Sequence, residues 1–337
     1  MGDGMSMRAG MIMVAALTCS PCAANPAPTY APITQPLKIE QVPGRPIYFS
    51  VGNPGIPGAP NEGNTSNAGF VITTAGVVVF DALGTPSLGW ALLQHIRTIT
   101  DKPIRYVVVS HYHADHIYGL QAFKDNTEAL IVAQERAADY RENEVTADER
   151  ADQRLTQRRD ALFPWVNRDT RIVIPDITFK DRMTIALGDK RFRLFSAGAA
   201  HSSSDLMMLV EPDGALFAGD IVQNGRIPFM NSDDVDTATW ISALEDVEQL
   251  SPSFIIPGHG RGSTNVQEAI AFTRGYIQHV RAAMLRAVEN WEDFNVAYDQ
   301  SDWGRYKGMP AFENNNRGNA YRVFLELEQA QLKRERR

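Results

Sequence analysis

The chain has 337 residues, 44% of them hydrophobic and 22% charged, which is globular composition with enough length for one large or two modest domains. Its formal net charge is −7 and its interior carries no basic run, so nucleic acid is excluded as a partner on charge grounds and a small-molecule substrate is expected instead.

The chain opens with a targeting pattern. Arg8 supplies a positive charge, Ala9–Leu17 is an apolar stretch too short to span a bilayer, and Cys22-Ala23-Ala24 offers small residues for cleavage. Residues 1–24 are therefore expected to be a signal peptide, with export to the periplasm and no stable membrane insertion after cleavage. The chain has 2 cysteines, Cys19 and Cys22, and both lie in this segment. Cleavage after Ala24 would leave a mature chain without a disulfide or a thiol nucleophile. Nothing in the sequence fixes the oligomeric state.

Residues 25–46 are Pro-rich and read as an extended lead-in. One domain is expected over 47–337. Ile47–Val51 is strand-like, and Gly52–Asn67 is dense in Gly, Pro and Asn and reads as a loop. "GFVITT" and "GVVVFDA" read as buried strands, and Pro86–Thr100 carries Leu88, Leu92, Leu93 and Ile96 at helical spacing. Ile104–Ser110 reads as a strand. Residues 134–160 turn charged and Ala-rich, as a solvated helical insertion does. Strands are expected again at "RIVI", "ITF", "MTIAL", "RFRLFSA", "DLMMLVE", "ALFAGD" and "SFIIPGHG". Helical patterns fill Ala238–Leu250, Val266–Asn290 and Arg317–Arg337, so the C-terminus, about 266–337, is helical.

The stretch "VVVSHYHADHIYG" concentrates the chemistry. A chain with 7 histidines places His111, His113 and His116 within six positions, directly after an apolar strand. Neutral imidazole is the commonest metal ligand. Alternate residues of an extended segment face the same way, so His111 and His113 can bind one ion. Asp115 and His116 follow the turn and point toward a second position. One short peptide cannot complete either shell, since zinc takes about four ligands. His201 in "SAGAAHSSSD", Asp220 ending "LFAGD" and His259 in "FIIPGHG" are the candidates for the remainder, each at an expected strand end. His95 and His279 lie in helical stretches and read as surface or packing residues. Ser202, Ser203 and Ser204 read as loop-forming, and Trp165, Trp303 and Tyr306 as packing.

H-x-H-x-D-H, then His, then F-x-G-D, then G-H-G, in that order, resembles the metallo-β-lactamase superfamily across roughly Ile47 to Gly262. Asp81 in "VVVFDAL" matches that family's early strand-end Asp. The resemblance implies an α/β fold, the four-layer αβ/βα sandwich, with the metals at one sheet edge. It implies two zinc ions, His111, His113 and His201 on one and Asp115, His116 and His259 on the other, bridged by Asp220. Asp at 220, where true β-lactamases carry Cys or Ser, is similar to the hydroxyacylglutathione hydrolase and lactonase branch. "FAGDIVQNGRIPF" followed by "PGHG" resembles the exported SoxH-like, quinoprotein-relay zinc hydrolases.

The implied activity is zinc-dependent hydrolysis, with a metal-bridging hydroxide attacking the carbonyl of a thioester, lactone, ester or amide. Asp115 would orient the nucleophile and pass its proton to the leaving group. Arg226 and Phe229 follow Asp220 closely enough to contact substrate, Arg226 through a substrate carboxylate. The alternatives are a mono-iron persulfide dioxygenase, which shares H-x-H-x-D-H, and a β-lactamase.

Overall fold

The structure, a computed structural model, describes residues 29–137 and 154–336. The expected signal peptide with both cysteines, and residues 138–153 of the expected insertion, lie outside the described residues.

Among the described residues, the strands form two sheets of seven and five. The first runs, in spatial order, β1 (Ile39–Gln41), β2 (Ile47–Ser50), β3 (Gly69–Ile72), β4 (Val77–Phe80), β5 (Ile104–Val108), β6 (Leu130–Gln134) and β7 (Ile177–Phe179). It is antiparallel up to β4 and parallel from β4 to β7. The second holds β8 (Arg182–Leu187), β9 (Lys190–Gly198), β10 (Asp205–Glu211), β11 (Ala215–Asn224) and β12 (Phe254–Gly260), with only β11–β12 parallel.

Parallel neighbours need a crossover, and helices supply it. Helix α1 (Pro86–Ile99) joins β4 to β5, α2 (Ala114–Ile117) and α3 (Leu120–Asn126) join β5 to β6, and α4 (Thr237–Leu250) joins β11 to β12. The start of α1 is set by Thr85, whose hydroxyl accepts the Leu88 N–H at 3.1 Å, and by Pro86 in the first turn. Asp236 caps α4 in the same way through the Thr239 N–H. Three helices close the chain: α5 (Val266–Glu289), α6 (Phe294–Gln300) and α7 (Phe312–Glu335).

The layers follow from the period of two along each strand. On β4, Val77 and Val79 pack with Leu88, Leu92 and Ile96 of α1, while Val78 and Phe80 meet Met208 and Phe217 of the other sheet. On β11, Leu216 and Ala218 pack with Trp240, Leu244, Ile270 and Ile277 of α4 and α5, while Ala215 and Phe217 face the first sheet. Both faces of each sheet are thereby covered, which is why these strands read as unbroken apolar runs. The result is the expected four-layer αβ/βα sandwich with a helical C-terminus. No described helix is long and apolar enough to cross a membrane.

Some expectations fail locally. Arg171–Ile174 is not a strand. Its chain is drawn over α3 instead, where the Arg171 N–H donates to Gln121 and the guanidinium pairs with Asp125, while Ile172 and Val173 pack on the α1 side of the first sheet. The expected helical insertion begins as the end of β6, and the described part returns to helix at 154–162. The last helix starts at Phe312, five residues before Arg317.

Candidate metal centre

Strand β5 ends at Val108, and the chain, expected to stay extended, bends at Ser110 and Tyr112 before α2 begins after His113. His111 and His113 then face one point, with ring centroids 4.6 Å apart. Asp115 and His116 lie in the short α2 and turn toward a neighbouring point. The structure brings all seven expected ligand residues together. Two triads, His111/His113/His201 and Asp115/His116/His259, each place one donor atom per residue close enough to share an ion, and a third group, His111/His116/Asp220, joins them.

Asp220 sits between the triads. Its Oδ2 is 3.2 Å from His201 Nε2 and 3.2 Å from His259 Nε2, and its Oδ1 is 3.3 Å from His116 Nε2. The donor set fits cations. His111 Nε2, His116 Nε2 and Asp220 Oδ1 are buried and have no hydrogen-bond partner. An orphaned buried polar atom is costly, and three of them aimed inward call for something that accepts lone pairs. Charge argues the same way. Burial, with help from His116 and His113, pushes His111 well below the ordinary histidine range, and burial takes His113 down to about 3, so both are neutral donors. Burial also opposes a charge on His116, but Asp220, Asp81 and Asp115 outweigh it and draw a proton there. Three carboxylates around one imidazole are a place for a cation.

The rings are fixed from behind, as ligating imidazoles are. His116 Nδ1 donates to Asp81 Oδ2 at 2.8 Å. The Ser110 hydroxyl gives its one proton to Asp81 Oδ2 at 2.7 Å, so its oxygen accepts from His111 Nδ1 at 2.9 Å. Asp81 also takes the Ser110 N–H, and its backbone adopts φ 59 to reach all three. His259 Nδ1 lies 2.7 Å from the Thr65 carbonyl. In a neutral ring each of these contacts holds the proton on Nδ1 and leaves Nε2 to the centre; in His116 a cation there would take the place of the proton the carboxylates draw. The His201 loop is held by Asp205, which accepts from Ala200 N, Ser202 N and the Ser202 hydroxyl. Burial pushes this carboxyl up to about 8.

Asp220 and His259 were expected at strand ends, and the structure corrects this for Asp220. Strand β11 runs on to Asn224, and the pairing with β12 slips on either side of Gly219. A bulge re-aims the side chain that follows it. Gly219 takes φ +51, and a Cβ there would lie 2.7 Å from Ser110 Cβ. Gly258 is needed for space, since a Cβ on it would lie 2.0 Å from Asp220 Oδ1.

The centre opens on a cavity of about 650 Å³. Phe229 lines it, with its ring 6.1 Å from that of His113. Arg226 lines it too, but from a buried position, with Nη1 2.7 Å from His259 Nδ1. The Gly52–Asn67 loop contributes Ile56 and Pro57 to the rim. Its far end does more: the Ser66 hydroxyl donates to the Asp115 carbonyl, Thr65 Oγ1 is 3.4 Å from Asp115 Oδ2, and Asn67 donates to Pro257 O and Gly260 O of β12.

Sequence reasoning missed the rest of the wall. Arg154, Gln157, Arg158 and Ala161 come from the helical stretch 154–162, and Asn314 and Asn315 from the first turn of α7. It also missed how α7 holds the segment after β11. Asn319 accepts the Met230 N–H at 2.7 Å and donates to Pro228 O at 2.7 Å, and Arg322 donates to Ser232 O, Asp233 O and Val235 O. Residues 315, 319 and 322 share a helix face, which is the signal "ENNNRGNAYR" carried. His95, His279, Trp165, Trp303 and Tyr306 all lie outside the cavity lining; His279, for one, bonds Asp302 O and packs on Trp303.

Two of the curated relatives that match in part are described by name. The linear primary-alkylsulfatase of Pseudomonas sp. (strain ATCC 19151) is 24% identical over 242 residues, 63% of this chain and 45% of the relative. The beta-lactamase-like protein 2 homolog of Caenorhabditis elegans is 23% identical over 221 residues, 63% of each. The chain thus spans less than two thirds of the length of either. Among solved structures, a double mutant of the sec-alkyl sulfatase PisA1 shares the fold with a TM-score of 0.66 at 16% identity, over 86% of this chain and 50% of that one. Residues 62–259 match the family described as Metallo-beta-lactamase superfamily, a span that contains every residue of both triads and Asp220. The chain therefore belongs to the metallo-beta-lactamase superfamily.

Proposed function

We propose that the chain is a di-zinc hydrolase of small molecules that cleaves an ester-type bond, of the Asp-bridged branch that includes the SoxH-like enzymes. The observation that supports this most is the pair of triads meeting at Asp220. Bound there, two zinc ions would supply Lewis acidity, bringing water toward ionisation near neutral pH and polarising the bond under attack. The chain's residues do the rest. His111, His113 and His201 would hold one ion and Asp115, His116 and His259 the other. Asp220, within reach of His201 on one side and of His116 and His259 on the other, would join the two sites and offset part of their charge. Asp115 Oδ2, beside Thr65 Oγ1 and half-open to the cavity, is placed to take a proton from water and return it to the leaving group. Asp81, Ser110 and Thr65 hold the imidazoles in the tautomer that leaves Nε2 free.

A second reading, hydrolysis of a sulfate ester, is favoured by an alkylsulfatase among the relatives and another among the solved structures. A panel of lactam, lactone, thioester, carboxylic ester and primary alkyl sulfate, assayed with zinc-loaded protein together with metal analysis, separates the readings. Two zinc per chain and turnover abolished by chelation are expected. One iron per chain with oxygen uptake on a persulfide would replace the hydrolase by the dioxygenase, and efficient lactam turnover would make it a β-lactamase. Export is part of the proposal, supported by the Arg8, Ala9–Leu17 and Cys22-Ala23-Ala24 pattern. An intact mass that starts near Asn25 in the native host is expected.

A further inference from the structure

We propose that the cavity selects organic substrates carrying one oxyanion, and that Arg158 is the specificity residue, acting with Arg226. The kinetic part rests on the hydrolase reading above.

The lining has an uneven charge. Its two carboxylates, Asp115 and Asp220, both belong to the candidate metal groups. Every other formally charged lining residue apart from the histidines is an arginine: Arg154, Arg158 and Arg226. This happens in a chain of net charge −7. Away from the metal centre, the charged groups among the described lining residues are guanidiniums, with Arg158 and Arg226 nearest Asp115.

Arg226 is built in rather than draped. It is 5% exposed, and its Nε has no hydrogen-bond partner. Its contact with His259 Nδ1 is not available to a ligating His259. That nitrogen has room for one proton or one lone pair. Donating to the Thr65 carbonyl leaves Nε2 bare for a metal; accepting from Arg226 would put the proton on Nε2. With His259 as a ligand, this buried guanidinium on the cavity lining is left without a protein acceptor among the described residues.

Arg158 stands on the same side. It is half-buried, and among the described residues it has no ion pair. Its charge falls on Asp115, as does that of Arg226. Positions 154, 157, 158 and 161 form one helix face turned to the cavity, and the Arg154 guanidinium, 5.9 Å from the Tyr112 ring centroid, anchors one end of it. Two planar guanidiniums beside Asp115 suit a carboxylate or a sulfate, each of which takes paired N–H donors. Ile56, Pro57 and Phe229 supply apolar contact for the carbon chain. The oxyanion is either a carboxylate remote from the scissile bond or the sulfate of a sulfate ester.

The test compares wild type, Arg158→Gln and Arg158→Lys, all zinc-loaded, on phenyl acetate, the monophenyl ester of glutaric acid, and hexyl sulfate. A charged hydrogen bond removed from a binding site costs about tenfold or more. The ratio of kcat/KM for an anionic substrate to that for phenyl acetate should fall by about that factor in Arg158→Gln, through KM, and recover in part in Arg158→Lys. A response confined to the glutarate ester assigns the anion to a remote carboxylate; hydrolysis of hexyl sulfate with the same response assigns it to the scissile group. Unchanged ratios in a folded, metal-replete variant overturn the proposal. Should no substrate turn over, the hydrolase reading falls and binding decides: hexanesulfonate, followed by calorimetry, should bind wild type at least about tenfold more tightly than Arg158→Gln, and equal affinities overturn the subsite.

Discussion

On the floor of the cavity, the imidazoles of His111, His116 and His259 are each held from behind by a buried oxygen: Ser110, Asp81 and the Thr65 carbonyl. On the wall, Phe229, Asn231 and Ser232 are presented by a segment whose backbone is clamped by Asn319 and Arg322, while their own side chains are left to the cavity. The floor specifies side-chain orientation; the wall specifies only where a stretch of backbone runs. Chemistry needs the first kind of constraint, because a ligand atom misplaced by an ångström is no ligand. Recognition tolerates the second. Substitutions should therefore separate into those that stop the reaction and those that change what is accepted.

The largest effect is expected on the floor. His113→Ala should lose or loosen one ion, by metal analysis. Asp115→Asn keeps shape and an oxygen but loses the proton acceptor, so kcat should fall by about 10²–10⁴-fold with at least one zinc retained. A near-normal rate with metals bound would make Asp115 a ligand only. Next comes the support behind the floor. Asp81→Ala removes the acceptor for His116, Ser110 Oγ and Ser110 N, and zinc affinity in a chelator competition should weaken by about 10–100-fold. Smaller still is the clamp on the wall. Asn319→Ala strands the Met230 N–H and Pro228 carbonyl, which should cost about 1–3 kcal/mol of stability in denaturant unfolding. KM should rise while zinc content holds, and a loss of zinc instead would erase the distinction between floor and wall. Phe229→Ala should raise KM by about two- to tenfold, the value of one aromatic contact.

The floor was legible because its parts are local. H-x-H-x-D-H carries four of the seven residues in one turn from β5 into α2, and His201, Asp220 and His259 stand in Gly-rich contexts that mark them. The bulge at Gly219 was not, since a strand pattern reads the same with or without a slipped pairing; it takes the neighbour β12 and the packed Ser110 to show that Gly is required. Strand β6 went unnoticed because its apolar run, Leu130–Ala133, borders the charged stretch. "RIVI" has strand composition, yet Gln121 and Asp125 of α3 capture Arg171 and lead the chain elsewhere. The start of α7 was read five residues late because "ENNN" disfavours a helix. Asn315, Asn316 and Asn319 are buried there and bond loop carbonyls and tyrosines, contacts no local rule contains.

The clamp of α7 has a bearing on how such a chain changes over time. The span shared with the superfamily stops at residue 259, and Asn315, Asn319 and Arg322 lie beyond it. The candidate centre and the clamp that places part of its wall are therefore carried by different lengths of chain, joined by side-chain-to-backbone hydrogen bonds and apolar packing. Drift in the tail can shift the segment that carries Phe229, Asn231 and Ser232 while the centre is copied unaltered, and recombination at the boundary could hold an inherited wall differently in one step.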